Sequence, residues 1–281
     1  MRAVWITRPA GPEALEVRET PDPEPGPGQV RIRVRAAGLN FAEVMAAQGL
    51  YPDAPKPPCV VGYEVAGLID AVGDGTQGRA ARQRVLVHMA AGGVGTAVLQ
   101  LCRTVDDLEV FGTASAVKHD VLKAEGCAHP IDYHATDYAA EVGRLTAGEG
   151  VDVVLDPLGG HDWRKGLKLL RPCGRLVAYG FANLATGQRR RPARLVSQAA
   201  GIPLLTPLGL MNHNRTISGV NIGHLWGQIA ILREELQAVL VLWDRGSVKP
   251  LIDRTYTFTE AATAHRRILH HQNTGKVVLK P

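Results

Sequence analysis

Apolar and polar residues alternate singly over Val30-Arg31-Ile32-Arg33-Val34-Arg35, a period of two that predicts a strand with one buried face. The proline-rich stretch before it, Pro21-Asp-Pro-Glu-Pro-Gly-Pro-Gly28, suits neither a helix nor a central strand and reads as a rigid loop. From Val85 onward the pattern changes. Val85–Met89, Glu109–Thr113, Pro130–Tyr133, Val151–Asp156, Arg175–Tyr179 and Thr216–Val220 read as strands. Several are near-continuous apolar runs, as when helices cover both faces of a sheet. Helical patterns fall between them, at Thr96–Arg103, Ser115–Glu125 and Asp137–Leu145. The alternation predicts an α/β fold with a doubly wound parallel sheet over residues 84–246. Residues 1–83 look β-rich, and the tail 247–281 returns to short strands around one helix, Glu260–His271, so the two are assigned to one further domain.

Composition narrows the class without changing it. A chain of 281 residues, 45% hydrophobic, is long enough for two domains with real cores. Its net charge of +5 suits anionic ligands and is too weak to mark a nucleic-acid binder. Cys59, Cys102, Cys127 and Cys173 are scattered with no C-x-x-C, the usage of a reduced intracellular protein without a disulfide framework. Met1 to Arg8 lacks a signal-peptide apolar region and reads as a first strand. The most apolar run, Gly201 to Met211, is broken by Pro203 and Pro207 and is too short to span a bilayer. The expectation is a soluble, cytoplasmic protein.

The chemistry concentrates in Arg84-Val-Leu-Val-His-Met-Ala-Ala-Gly-Gly-Val-Gly95. A strand runs into a glycine-rich turn and straight on into a helix, the order that builds a cradle for a dinucleotide's diphosphate. Gly92 lets the backbone approach the phosphates and Gly95 lets helix and strand pack closely. The helix N-terminus offers free N–H groups and a partial positive charge. Ala90 stands where the first glycine of G-x-G-x-x-G usually is.

The second strand indicates which nucleotide. NAD sites place an acid about 20 residues past the glycines to hold the ribose 2′-hydroxyl. Here Phe111-Gly-Thr-Ala-Ser-Ala-Val-Lys118 holds no acid, while Ser115 offers a hydroxyl and Lys118 a cation. This favours the 2′-phosphate of NADP(H). A helix cap at Ser115 and a solvated lysine remain the alternative.

These blocks, together with His129-Pro-Ile-Asp-Tyr-His134, Asp156-Pro-Leu-Gly-Gly160, Gly275-Lys-Val-Val-Leu279, Ala37-Gly-Leu-Asn-Phe-Ala42 and Gly62-Tyr-Glu-Val-Ala-Gly67, carry a resemblance over nearly the full length. The chain resembles the zinc-free quinone oxidoreductases of the medium-chain dehydrogenase/reductase superfamily, and within them the synaptic vesicle membrane protein branch. The resemblance implies a Rossmann domain, a GroES-like β-barrel domain and a cofactor cleft between them. It implies NADPH-dependent reduction of a quinone, an enone or an activated carbonyl. It places Ala91, Gly92, Gly93, Val94, Gly95 and Gly180 at the cofactor, with Ser115, Lys118 and Tyr133 around the adenosine phosphate. Asn40 and Tyr51 fall in blocks that face the nicotinamide in the family, and a homodimer through the edge strand at Thr216–Val220 is implied.

Zinc is argued against by the donors. Leu39-Asn40 and Tyr63-Glu64 stand where zinc-dependent relatives have a cysteine and a His-Glu pair, and none of the ten histidines forms H-E-x-x-H. No metal is expected. Without one, Tyr51 is the candidate donor to the substrate oxygen and Asn40 the candidate positioning group. Each has a plain alternative: Asn40 as the cap of a helix starting at Phe41, and Tyr51 as a loop ring packed on Pro52 and Pro55.

The chain departs from the family between Asp70 and Arg84. Only the eight residues Thr76–Gln83 follow the Val72-Gly-Asp-Gly75 block, and they reach at most roughly 28 Å. They can connect two domains but cannot supply several strands and a helix, so the barrel is shortened and closes in a reduced form or leaves open edges. Arg189-Arg-Arg-Pro-Ala-Arg194 is either a solvated loop beside a dimer interface or a peripheral contact with an anionic membrane. Two classes therefore stand. One is an NADPH-dependent reductase. The other is a cofactor-binding, catalytically inactive protein that acts through a partner or a lipid surface.

Overall fold

The computed structural model describes residues 1–26, 29–51, 54–72, 84–184 and 192–281. The N-terminal part contributes β1 (Arg2–Ile6), β2 (Leu15–Glu19), β3 (Val30–Leu39), α1 (Phe41–Ala47), β4 (Cys59–Val60) and β5 (Val65–Val72). The middle part runs β6 (Arg84–Val87), α2 (Gly93–Cys102), β7 (Glu109–Ala114), α3 (His119–Ala124), β8 (His129–Asp132), α4 (Tyr138–Leu145), β9 (Val151–Asp156), α5 (His161–Leu169) and β10 (Leu170–Ala178). It continues through α6 (Pro192–Gly201), α7 (Pro207–His213), β11 (Thr216–Gly219) and α8 (Ile229–Asp244). The tail adds β12 (Ile252–Thr257), α9 (Ala261–Leu269) and β13 (Lys276–Lys280).

The middle part forms one six-stranded sheet in the order β8-β7-β6-β9-β10-β11, with every neighbouring pair parallel. Strand order reverses between β6 and β9, the position where a doubly wound sheet opens a crevice at its carboxyl edge. Two apolar clusters cover the two faces. Leu86, Phe111, Val154 and Leu176 pack under α4 and α5, and Val85, Val87 and Val110 pack against Leu99 of α2 and Leu122 of α3. This is the expected α/β fold.

Several expected boundaries move, each for a local reason. The first strand of the sheet ends at Val87, because Met89 turns into the left-handed region at φ 51°. Helix α2 then begins at Gly93, three residues before the expected start. The expected helix 115–125 divides into a 3-10 turn, Ala116–Lys118, and α3, with Ser115 as the cap residue. Strand β10 starts early, at Leu170, and is broken by an irregularity before Arg175, where Cys173 has φ 66°. The tail helix shortens to Ala261–Leu269 behind a 3-10 turn, Phe258–Glu260.

The first and last parts build two further sheets, β2-β1-β4 and β12-β13-β3-β5. Strand β13 pairs antiparallel with β3, Val277 opposite Leu39, which fastens the tail to the N-terminal part. Leu39, Val44, Ile268, Val277 and Leu279 form their shared core with α1 and α9. Among the described residues these sheets do not close into a barrel. Strand β5 pairs only with β3 and is exposed from Val65 to Asp70, with Leu68 58% and Ile69 60% accessible. Among the described residues, β5 therefore presents an open edge.

Candidate active site

The residues expected at the cofactor gather along the carboxyl edge of the six-stranded sheet. Ala91–Gly95 form the turn from β6 into α2, Ser115 follows β7, Tyr133 follows β8, and Gly180 lies just past β10. Gly92 is the cap residue of α2, and the first helical bond runs from Thr96 N to Gly92 O at 2.9 Å. The N–H groups of Gly93, Val94 and Gly95 precede that bond and have no partner within the helix. They form the anion-facing end of the helix, and they fit a diphosphate. Gly95 is required by close approach, since a Cβ there would sit 2.6 Å from the Ala90 backbone. No acidic side chain lies between Ala114 and Val117 at the end of β7, so nothing there repels a 2′-phosphate.

The adenosine end is less simple than the sequence implies. Lys118 Nζ donates to the carbonyls of His271 at 2.7 Å and Asn273 at 2.6 Å, which ties the cation to the turn after α9. Burial holds its pKa below the usual lysine value. Tyr133 is 44% exposed and its ring tilts against His134 at 4.3 Å between centroids. Burial, then the charge of Asp132, raises its pKa. The two residues expected to contact the phosphate are therefore a cation already holding two carbonyls and a half-open phenol.

At the other end of the turn, the tail reaches the glycines. Gly275 N donates to Ala91 O at 2.7 Å, and Gly275 and Gly92 form an isolated parallel bridge. The next side chain, Lys276, is buried. Its stem occupies the space a side chain at Gly93 would need, and its Nζ donates to Asn40 Oδ1 at 2.5 Å and pairs with the Glu64 carboxylate. Asn40 caps α1 in a capping box with Glu43, whose Oε2 accepts the Asn40 N–H at 2.9 Å. The other Glu43 oxygen accepts the Tyr63 N–H at 2.9 Å, and the Tyr63 ring meets Tyr51 edge-on at 5.4 Å. Burial raises the Glu43 pKa against the pull of those N–H groups and of Lys276. Asn40 is thus a helix cap that also reaches the glycine turn through Lys276. Tyr51 is connected to it through Tyr63 and Glu43. Pro52, its expected packing partner, lies outside the described residues, as do Arg189 to Arg191 of the basic segment.

Sequence reasoning missed Lys276 and Glu43. Glu43 carries a readable signal, since an acid three residues after an asparagine is the capping-box spacing. Lys276 carries only a faint one, a charge opening the apolar strand Lys276-Val-Val-Leu-Lys280. The same sheet edge also buries His88 and Asp156 on adjacent strands. Burial pushes His88 down to about 4 and Asp156 up to about 6. Among the described residues no cluster of three or more His, Cys, Asp or Glu side chains could hold a metal, and no helix is long and apolar enough to cross a membrane.

Comparison with known proteins places this geometry. The zinc-binding dehydrogenase family model matches residues 125–279, and the alcohol dehydrogenase GroES-like domain model matches residues 26–132. The rat synaptic vesicle membrane protein VAT-1 homolog is 38% identical over 304 residues, covering 88% of this chain and 75% of the relative. That alignment is longer than the 281 residues present here, so the relative contains residues with no counterpart in this chain. The crystal structure of the human VAT-1 homolog-like protein superposes with TM-score 0.77 at 30% identity, covering 100% of this chain and 98% of the other. A quinone oxidoreductase from Pseudomonas syringae pv. tomato superposes with TM-score 0.78 at 25% identity, covering 100% of this chain and 99% of the other. The chain belongs to the medium-chain dehydrogenase/reductase superfamily, with the VAT-1 homologues among its sequence relatives and quinone oxidoreductases among its structural neighbours.

Proposed function

We propose that the protein is an NADPH-dependent oxidoreductase that reduces a quinone or an activated alkene or carbonyl without a metal. The observation that carries this reading is the contact of Lys276 with Gly93 on one side and Asn40 on the other. It sets a polar, half-buried amide one side chain away from a turn built for a diphosphate. Residues 84–246 serve as the cofactor domain, and residues 1–83 with 247–281 as the substrate domain.

Bound NADPH supplies the hydride. The chain's residues bind and orient. The N–H groups of Gly93, Val94 and Gly95 hold the diphosphate, and Ser115, Lys118 and Tyr133 surround the 2′-phosphate, where Lys118 exchanges a backbone carbonyl for a phosphate oxygen. Ala91, Gly92 and Gly180 line the approach with little bulk. Hydride addition to a carbon conjugated with a carbonyl moves the π pair onto the oxygen, and a proton from solvent completes the reduction. Asn40 and Tyr51 are the donors that stabilise that oxygen. The protein acts as a homodimer through the edge strand β11, in the cytoplasm.

A second reading has its own observation. The open edge at β5 leaves the substrate side less enclosed than a hydride-transfer site needs, which favours a protein that binds the cofactor and acts through a partner or an anionic membrane surface. One experiment separates the two. NADPH consumption is followed with and without 1,4-naphthoquinone and an enone, beside the thermal shift given by NADPH and NADH. Acceptor-dependent consumption with a larger shift from NADPH is the expected result. A thermal shift without consumption supports the second reading, and no shift from either nucleotide overturns both.

A further inference from the structure

Lys276 was assigned no role from the sequence, yet it touches both halves of the site. We infer that Lys276 is a positioning residue that fixes the Asn40 carboxamide, oxygen toward the ammonium, so that Nδ2 faces the cleft as the donor to the acceptor's carbonyl oxygen. The inference rests on the reductase reading above and adds the device that orients its donor.

The chemistry of the pair decides the orientation. A lysine ammonium only donates, so the Asn40 atom 2.5 Å from Nζ has to be the carboxamide oxygen. The capping box turns the same side chain toward the Glu43 backbone N–H, a second donor that also calls for oxygen. A flipped amide would set N–H groups against both. With Oδ1 held, Nδ2 points away from Lys276 and from the helix terminus. The positive charge beside Oδ1 draws density from the amide, which makes Nδ2–H a better donor to an oxygen gaining negative charge. The Glu64 carboxylate pairs with the ammonium, so the buried cation is balanced. The lysine itself is held in place, because its stem lies against Gly93 and its backbone neighbour Gly275 is bonded to Ala91 O.

The test uses the full chain and three variants. The Asn40 side-chain amide signals are assigned in nucleotide-free, 15N-labelled protein by their loss in Asn40→Asp. Lys276→Met keeps the stem and removes the donor. Lys276→Arg keeps a donor-only cation. The Asn40 signals should move in Lys276→Met and return towards the wild-type position in Lys276→Arg. With NADP+ bound, where no turnover occurs, 1,4-naphthoquinone should shift the Asn40 signals in the wild type and the Arg variant but not in the Met variant. With NADPH, Lys276→Met should lower kcat at least about tenfold while the KM for NADPH changes less than about threefold. If Lys276→Met fails to fold, Asn40→Asp serves, because its carboxylate still pairs with Lys276. It should weaken naphthoquinone binding to the NADP+ complex at least about tenfold. Asn40 signals unmoved in Lys276→Met, no naphthoquinone shift in the wild type, or unchanged quinone binding in Asn40→Asp each overturn the inference. A wild type that shows the naphthoquinone shift but never oxidises NADPH overturns the reductase reading alone and leaves the orientation of Asn40 standing.

Discussion

Strands β9 and β5 put similar sequences to opposite use. Strand β9 lies inside a parallel sheet, paired on both edges, with Val151, Val154 and Asp156 fully buried. Among the described residues strand β5 is an edge, paired with β3 alone, and its Val65, Leu68 and Ile69 face solvent. Both sequences are apolar, so composition does not explain the contrast. The covering elements do. Helices α4 and α5 pack on one face of the sheet that contains β9 and α2 and α3 on the other, whereas no helix among the described residues covers the exposed side of β5. Strand β5 keeps the amino acids of a core without the core around it. Helix α8 repeats the lesson, since none of its residues is buried and Leu236 and Trp243 are more than half exposed.

The sharpest way to break this comparison is to weaken the covered sheet. Phe111 is completely buried, and Phe111→Ala should cost about 3–5 kcal/mol in denaturant unfolding. A loss below about 1 kcal/mol would mean that the sheet is not the rigid half.

A pH effect of similar size is expected in the tail. His265 is buried in α9 and burial depresses its pKa to about 4. The unfolded chain takes up a proton near the ordinary histidine value while the folded chain does not. The stability due to the neutral ring is therefore complete above about pH 6.5 and is lost as pH falls toward 4, by about 3 kcal/mol. His265→Leu should remove that part of the pH profile. Parallel wild-type and variant profiles between pH 4 and 7 would contradict the assignment.

Gly95→Ala comes next. A Cβ against the Ala90 backbone should cost about 1–3 kcal/mol and abolish the thermal shift from NADPH. A variant that keeps both its stability and its NADPH shift would show that close packing there is not required.

The smallest effect belongs to β5. Leu68→Lys should change unfolding free energy by no more than about 0.5 kcal/mol, because the side chain already faces water. It should reduce self-association in sedimentation, because a charge blunts an open apolar edge. A large loss of stability would mean that β5 is covered after all.

What the sequence made legible follows the same division. The span of β9 was readable to the residue, since Val151–Asp156 is an apolar run between turns and nothing long-range competes for it. The parallel sheet and the glycine turn were readable for the same local reason. The early part of β10 was not, because Pro172-Cys-Gly174 reads as a turn and is carried in the strand only by an irregularity. The nucleotide end of the site was legible as a motif. Its other end was not, because Lys276 meets Asn40 across 236 positions of chain through a contact that no period or spacing records. Lys118 was legible as a cation, but its engagement with the carbonyls of His271 and Asn273 was not, since that depends on where the tail folds back.

In the proposed function, main-chain N–H groups at the start of α2 hold the diphosphate of NADPH. Amide chemical-shift mapping of the 15N-labelled protein during NADPH titration reads those groups one by one. The largest shifts are expected at Gly93, Val94 and Gly95, with smaller ones at Ser115 and Lys118. Saturating NADPH that leaves the Gly93–Gly95 amides unmoved would contradict that role.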